Sequence, residues 1–303
     1  MAPGSTGSIV DGIVEDTYNV IKRVSNRVSI IEYPRSGSKA FDIVSSDDEK
    51  RLFVRVVESV DSLSRGDVAE LKASSRMYGA TPLIVARYAR GYEIEEDVVY
   101  EKHGVYVLSV EGLRSVVEKK EPLYVINYKG LYLIRINPER LRGKRIEKGL
   151  SLGDLASILG VSRKTVYEYE RGRMCLSIEK ALRLLEVFGE EVFEPVNVLE
   201  NPEISIDELE SLSEPDTHIE EKILNKLRSL GYTVVHLKRA PVDVIGCCME
   251  GETISIVIKH YISSRGFRVK VGEAEKIARI VNTRKYVVRE ESDLKILFKE
   301  IKN

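Results

Sequence analysis

Between Leu141 and Phe188 the apolar positions recur every three or four residues in short bursts broken by glycine, which predicts a bundle of short helices. Leu141, Arg142, Arg145 and Ile146 fall at helical spacing, and Gly149 ends that helix as a C-cap able to adopt a left-handed backbone. Ser151 caps the next helix, with Asp154 in the first turn, where the helix dipole favours an anion. Leu152, Leu155, Ala156 and Leu159 form its apolar face, and Ala156 is small where two helices would cross closely. Gly160 makes a tight turn. Ser162 caps a third helix, which Gly172 stops, with Val166 and Tyr169 facing inward and Arg163, Lys164, Tyr167 and Glu168 outward. Ser177 caps a fourth helix whose buried stripe is expected at Ile178, Ala181, Leu182, Leu185 and Phe188.

The flanks read as mixed α/β. The first predicts a helix over 14–24, strands over 28–33 and 51–59, a helix over 64–78 and a strand over 82–88, with AFDIV at 40–44. The last predicts a helix over 219–230, strands over 233–237 and 253–261, a helix over 273–281, a strand over 285–290 and a closing helix over 294–301, with PVDVIG at 241–246. The order is the same, Asp42 and Asp243 fall at equivalent places, and each copy carries an SRG, at 64–66 and 264–266; an internal duplication is expected. Residues 98–110 read as an extension of the first domain, and 123–136 as a β-hairpin turning at Lys129-Gly130. In that hairpin Tyr124, Tyr128 and Tyr132 suit either half-buried packing or a wing or dimer edge. The expected domains are 1–122 (with 1–10 disordered), 123–193, an acidic linker over 194–216, and 217–303.

Composition narrows the classes. A 43% hydrophobic fraction in 303 residues supports two or three packed domains. No run approaches eighteen apolar residues, and no basic segment followed by an apolar stretch opens the chain, so neither a membrane span nor secretion is expected. Cys175, Cys247 and Cys248 lack metal-ligand spacing and read as reduced thiols of a cytoplasmic protein. His103, His218, His236 and His260 are scattered, and neither a metal nor a cofactor is expected. Gln and Trp are absent and Glu, Lys and Arg abundant, which leans thermophilic. The net charge is −1, yet residues 138–173 hold nine Lys/Arg against five Asp/Glu, a local excess of four positive charges. Residues 194–221 hold ten acids and no Lys or Arg, which suits a solubilising spacer or a mask for the basic segment.

The run LA-x-x-LGVS-x-x-T-V-x-x-Y-E-x-G at 155–172 resembles the phage-repressor, Cro-type helix-turn-helix family, over about 55 residues around it. The resemblance implies an all-α lambda-repressor-like domain whose third helix, 162–171, enters the major groove of double-stranded DNA. It assigns base reading to Arg163 and Lys164, since a guanidinium matches the guanine edge bidentately. Ser162, Thr165 and the backbone N–H groups at the helix start would hold phosphate. Tyr167 lies on the same outward face. Glu168 either accepts from a cytosine amino group or is a solvated acid. Arg145 and Glu170 match an internal salt bridge of the family. Leu152 departs from the Gln that commonly contacts phosphate at the start of the second helix.

Each flank resembles a restriction-endonuclease-type core. Active members carry an Asp and then acid-x-Lys on the next strand, where two carboxylates hold Mg²⁺ and the Lys positions the attacking water. Here Phe53-Val54-Arg55 stands in place of acid-x-Lys in the first copy, and Val257 takes the acid's place before Lys259 in the second. Both copies are therefore expected to be inactive, and Asp42 and Asp243 read equally well as turn or strand-end acids. The whole arrangement, through FDIV, SLGDLA and VYEYERG, is similar to a family of archaeal transcriptional regulators of unassigned target. The expectation is a cytoplasmic, homodimeric, sequence-specific DNA-binding regulator and not an enzyme. The alternatives are a nuclease-like DNA-processing protein and a ligand-sensing regulator.

Overall fold

The computed structural model describes residues 5–35, 38–47, 50–200, 209, 212, 214–249 and 251–301, with side chains from residue 9. Helix α1 (Ser5–Val24) opens it, so the helix expected over 14–24 starts within the segment expected to be disordered. Residues 1–4 lie outside the described residues. Strands β1 (Arg27–Ile30), β2 (Ile43–Ser46) and β3 (Arg51–Ser59) run antiparallel in turn. Helix α2 (Arg65–Met77) crosses over to β4 (Thr81–Ala89), which pairs parallel with β3. A parallel neighbour needs such a crossover, because a tight turn returns the chain antiparallel. The start of α2 is a reciprocal cap: Ser64 Oγ accepts from Asp67 N, and Asp67 Oδ2 accepts from Ser64 N at 2.9 Å. Phe41, Phe53 and Tyr78 pack ring to ring in the core, with centroids 4.8 and 5.5 Å apart. Strand β5 (Tyr92–Glu93) folds back onto β4.

The middle of the chain forms its own body. It comprises strands β6 (Val98–Lys102), β7 (Val105–Leu108), β8 (Val125–Tyr128), β9 (Leu131–Ile136), β10 (Leu176–Ser177) and β11 (Phe193–Glu194) and helices α3 (Val110–Arg114), α4 (Pro138–Glu147), α5 (Leu152–Leu159), α6 (Arg163–Tyr169) and α7 (Ile178–Phe188). The hairpin β8–β9 turns at Lys129 and Gly130, with φ of +53° and +91°, the double positive φ that a tight two-residue hairpin requires. The stretch 98–110, expected as an extension of the first domain, is divided: residues 102–105 group with the first α/β segment, whereas 94–101 and 106–198 group together, and β6 pairs parallel with β8. Leu141, Leu155, Val166, Leu176 and Leu184 are buried at the centre of the helical bundle.

The last segment comprises α8 (His218–Ser229), β12 (Thr233–His236), β13 (Val244–Cys247), β14 (Thr253–Ile258), α9 (Ser264–Val281), β15 (Arg284–Val288) and α10 (Asp293–Glu300). The order β12-β13-β14-β15 is antiparallel, antiparallel, parallel, the same as β1-β2-β3-β4. The two α/β segments, expected as separate domains 1–122 and 217–303, pack as one compact unit, whereas residues 94–101 and 106–198 form the other. Their docking is reciprocal. Helix α9 lies on β1 and β2, and α2 lies on β12 and β13. Glu70 on α2 accepts from the backbone N–H groups of Lys238 and Arg239, at 3.2 and 2.9 Å, and from the Arg239 guanidinium at 2.5 Å. On α9, Glu273 accepts from Glu32 N at 2.9 Å. Sequence periodicity shows the apolar faces of α2 and α9 but not what covers them, which is why the shared core was not foreseen. Within the expected linker, β11 and the buried Val196, Val198 and Leu209 are ordered, while 201–208, 210, 211 and 213 lie outside the described residues.

The Glu70 carboxylate is 2% exposed and bears three donors, two of them backbone N–H groups. Substituting Glu70→Ala is expected to destabilise this unit by about 2–3 kcal/mol, read as a lower urea midpoint of unfolding for the full chain.

Candidate functional site

The outward face of α6 is presented by local capping on both sides of the turn. Ser151 and Asp154 form a reciprocal cap at α5, with Ser151 N to Asp154 Oδ2 at 2.8 Å and Asp154 N to Ser151 Oγ at 3.1 Å. These hydrogen bonds hold the Asp154 carboxyl below its ordinary range. Gly160 closes α5 with φ of +65°, and Ser162 caps α6 by accepting from Thr165 N at 3.1 Å. Val166 and Tyr169 are buried, so one face of α6 is committed to the core and the other is left outside.

On that outer face Ser162, Arg163, Lys164 and Tyr167 are exposed, and Thr165 and Glu168 are half-buried. Thr165 shares a 2.9 Å hydroxyl contact with Ser162. Arg171 donates to Tyr167 Oη at 2.6 Å and stacks over its ring. Arg173 lies 3.5 Å from the Glu168 carboxylate. Arg163 lies against the first turn of α5, where the missing side chain of Gly153 leaves room: a Cβ there would meet Arg163 Nε at 2.7 Å. Leu152 packs on the helical core, which accounts for an apolar residue at the position where the family often has a phosphate-binding amide.

Arg145 and Glu170 form a bidentate pair, Nε to Oε1 at 2.6 Å and Nη2 to Oε2 at 3.1 Å, with a third bond from Nη1 to Leu150 O at 2.8 Å. It fastens α4 and the loop before α5 to the end of α6, and the bond to Glu170 raises the already high Arg145 pKa. The stripe expected on α7 is corrected. Ala181, Leu184 and Phe188 are buried, whereas Leu182 and Leu185 are 55% and 43% exposed. Apolar residues flank the true line on both sides, so periodicity alone cannot choose the phase. The Glu170 side chain is 8% exposed, so Arg145→Ala leaves a nearly buried carboxylate unpaired. The expected cost is about 3 kcal/mol, seen as faster amide hydrogen exchange across α4 and α6.

The two aspartates of the α/β unit stand in matched settings. Asp42 Oδ2 accepts from Val56 N at 2.8 Å, and Asp243 Oδ2 accepts from Ile258 N at 2.6 Å. Each carboxylate also meets a protein cation. Arg55 reaches Asp42 at 2.5 Å, with Lys39 at 3.5 Å, and Lys270 reaches Asp243 at 2.5 Å. The first site does not fit the Mg²⁺ of an active endonuclease core, since Arg55 covers one oxygen and Lys39 the other. In the second, Val257 is buried at the position of the motif's acid and Lys259 points to solvent.

The scattered histidines do not all stay scattered. His236 Nε2 lies 3.0 Å from Glu220 Oε1, and His260 Nε2 lies 3.3 Å from the same oxygen and 3.0 Å from Asp243 Oδ1. Burial opposes ionisation of Glu220, but His236 and backbone donors outweigh it and bring its pKa down to about 2. Glu220 in turn raises the His236 pKa against burial. These residues sit at 220, 236, 243 and 260 on four different segments, and no motif spacing signals them.

Residues 11–123 match the PD-(D/E)XK superfamily domain and residues 141–194 match a helix-turn-helix domain. The chain is 35% identical over 289 residues to a protein of Thermococcus gammatolerans named "Putative HTH-type transcriptional regulatory protein", covering 94% of this chain and 87% of that one. It is 34% identical over 306 residues to an equally named protein of Aeropyrum pernix, covering 97% and 91%. A Pyrococcus horikoshii protein of the same description is 35% identical over 233 residues, 77% of this chain and 72% of its own length. No solved structure matches the chain. Among the described residues, no helix is long and apolar enough to cross a membrane. With most of its length matched at this identity, the chain belongs to the archaeal family of HTH-type transcriptional regulatory proteins.

Proposed function

We propose that this protein is a transcriptional regulator that reads double-stranded DNA in the major groove through residues 162–171. The observation that carries the reading is the division of α6: Val166 and Tyr169 lock it to the bundle, while Ser162, Arg163, Lys164 and Tyr167 face outward on a frame clamped by Arg145 and Glu170. Arg163 and Lys164 address base edges, and Ser162 and Thr165 address phosphate. Glu168 and Arg173 pair with each other, which favours a supporting role for both. The exposed Leu182 and Leu185 on α7 support a homodimer formed through that helix, which would set two half-sites about one helical turn apart.

The α/β unit acts in this reading as a duplicated, non-cleaving scaffold. The shared strand order, the matched Asp42 and Asp243 hydrogen bonds and the reciprocal Glu70 and Glu273 contacts support descent of both halves from one nuclease-like core. The protein cations on both aspartates speak against the nuclease alternative.

Selection from a random double-stranded DNA pool with Mg²⁺ present is expected to enrich one palindromic motif with intact strands. Strands cut by the wild type and left whole by Asp243→Ala would overturn the non-cleaving reading. On the selected site, Arg163→Ala and Lys164→Ala are each expected to cost about 1–3 kcal/mol and to relax the preference at one base position; unchanged affinity in both would misplace the reading helix. Leu182→Glu is expected to shift the protein toward monomer in sedimentation and to weaken binding to the full palindrome more than to a half-site.

A further inference from the structure

The first turn of α5 holds a glycine for which the backbone gives no reason. Gly153 is the second residue of that helix, and its φ lies outside the left-handed region that favours glycine. In a helix only proline is a poorer former, because glycine loses the most backbone freedom on ordering. The hydrogen bonds of the turn do not ask for glycine either. Ser151 and Asp154 form the reciprocal cap, and Ser157 Oγ donates to Gly153 O at 3.0 Å, an atom that any residue here would present.

What the missing side chain leaves is room for one group. A Cβ on Gly153 would meet Arg163 Nε at 2.7 Å, Nη2 at 2.8 Å and Cζ at 3.1 Å, and these three nearest atoms all belong to the guanidinium. The guanidinium therefore occupies the volume that a side chain at 153 would take. Arg163, the first residue of α6, lies in a slot on the neighbouring helix. The adjacent Asp154 adds charge: the Ser151 hydrogen bonds chiefly hold its carboxyl below the ordinary range, and the positive charge of Arg163 lowers it further. The slot orients Arg163 by shape and leaves its donors unspent. Among the described residues Arg163 makes no hydrogen bond, whereas Arg171 donates to Tyr167 Oη and Arg173 meets the Glu168 carboxylate.

We propose that Gly153 is a specificity-determining positioning residue, which with Asp154 aligns the Arg163 guanidinium for a guanine edge before DNA is bound. Guanine presents two acceptors, O6 and N7, that one guanidinium meets together only when its plane is correctly turned. A long side chain that is free in the unbound protein must be ordered at the interface, and a slot removes part of that cost. The proposal rests on the major-groove reading above and adds to it the device that selects the base at one position of each half-site.

The test is binding of full-length variants to the site enriched from the random pool, with thermal unfolding measured on the same samples. Gly153→Ala is expected to unfold at the wild-type temperature or above it, since alanine favours the helix. It is expected to bind the selected site about 2–10-fold more weakly, with the guanine preference relaxed at one position and non-specific binding unchanged. Asp154→Asn, which keeps a cap acceptor and removes the charge, is expected to shift binding the same way by less. Adding Gly153→Ala to Arg163→Ala is expected to cost nothing further, because the glycine acts through the guanidinium. Wild-type binding by Gly153→Ala where Arg163→Ala is weakened would overturn the positioning and leave the reading helix in place. A loss that persists in the Arg163→Ala background would overturn it as well. Wild-type affinity in Arg163→Ala alone would overturn the base contact itself, and the positioning with it.

Discussion

A backbone amide at the edge of one half, satisfied by a carboxylate from the other, is the contact on which the α/β unit depends. Glu70 reaches from α2 to the chain after β12, and Glu273 reaches from α9 to the chain after β1. Buried N–H groups without a partner are costly. Each carboxylate stands on a helix that packs both on its own sheet and on the sheet of the other half. Burial of Tyr78 against Ser255, at 2.8 Å between hydroxyls, adds a polar contact inside the shared core, and burial pushes the Tyr78 phenol well above its ordinary range. The halves are therefore held by specific polar groups as well as by apolar surface.

Legibility in the sequence followed the range of the interactions. The caps at Ser151 and Ser162 and the turn at Gly160 act over three or four residues, and each stands where its residue type indicates. The hairpin turn at Lys129 and Gly130 belongs to the same class. Arg145 and Glu170 are 25 residues apart, and only the family resemblance marked them as partners. The phase of α7 was not legible, since apolar residues at 182 and 185 and at 181, 184 and 188 satisfy helical spacing alike. Least legible were the contacts across the two halves, such as Glu32 with Glu273, 241 residues apart. A side chain's chemistry says what it needs and not where along the chain the need is met.

The two aspartates show how one backbone frame supports different electrostatics. In both α/β segments a strand N–H fixes one oxygen of the aspartate. The neighbours then decide its character. A guanidinium gives Asp42 a permanent, proton-independent counter-charge. Asp243 has an ammonium beside an imidazole, and an imidazole can act as a donor, an acceptor or a ligand. Asp42 thus meets a guanidinium and an ammonium, whereas Asp243 meets an ammonium and an imidazole.

One compact unit is built from both ends of the chain, with residues 106–198 between its parts in sequence. During synthesis the first half leaves the ribosome with the faces of β1, β2 and α2 bare, and its complement follows more than a hundred residues later. The helix-turn-helix domain, residues 141–194, is complete in sequence before the second half emerges. Nascent chains thus pass through an interval in which the helix-turn-helix domain is fully synthesised while the complement of the opening half is not. During that interval neighbouring nascent copies offer each other the same complementary faces, and the Glu70–Arg239 contact forms alike within one chain or between two.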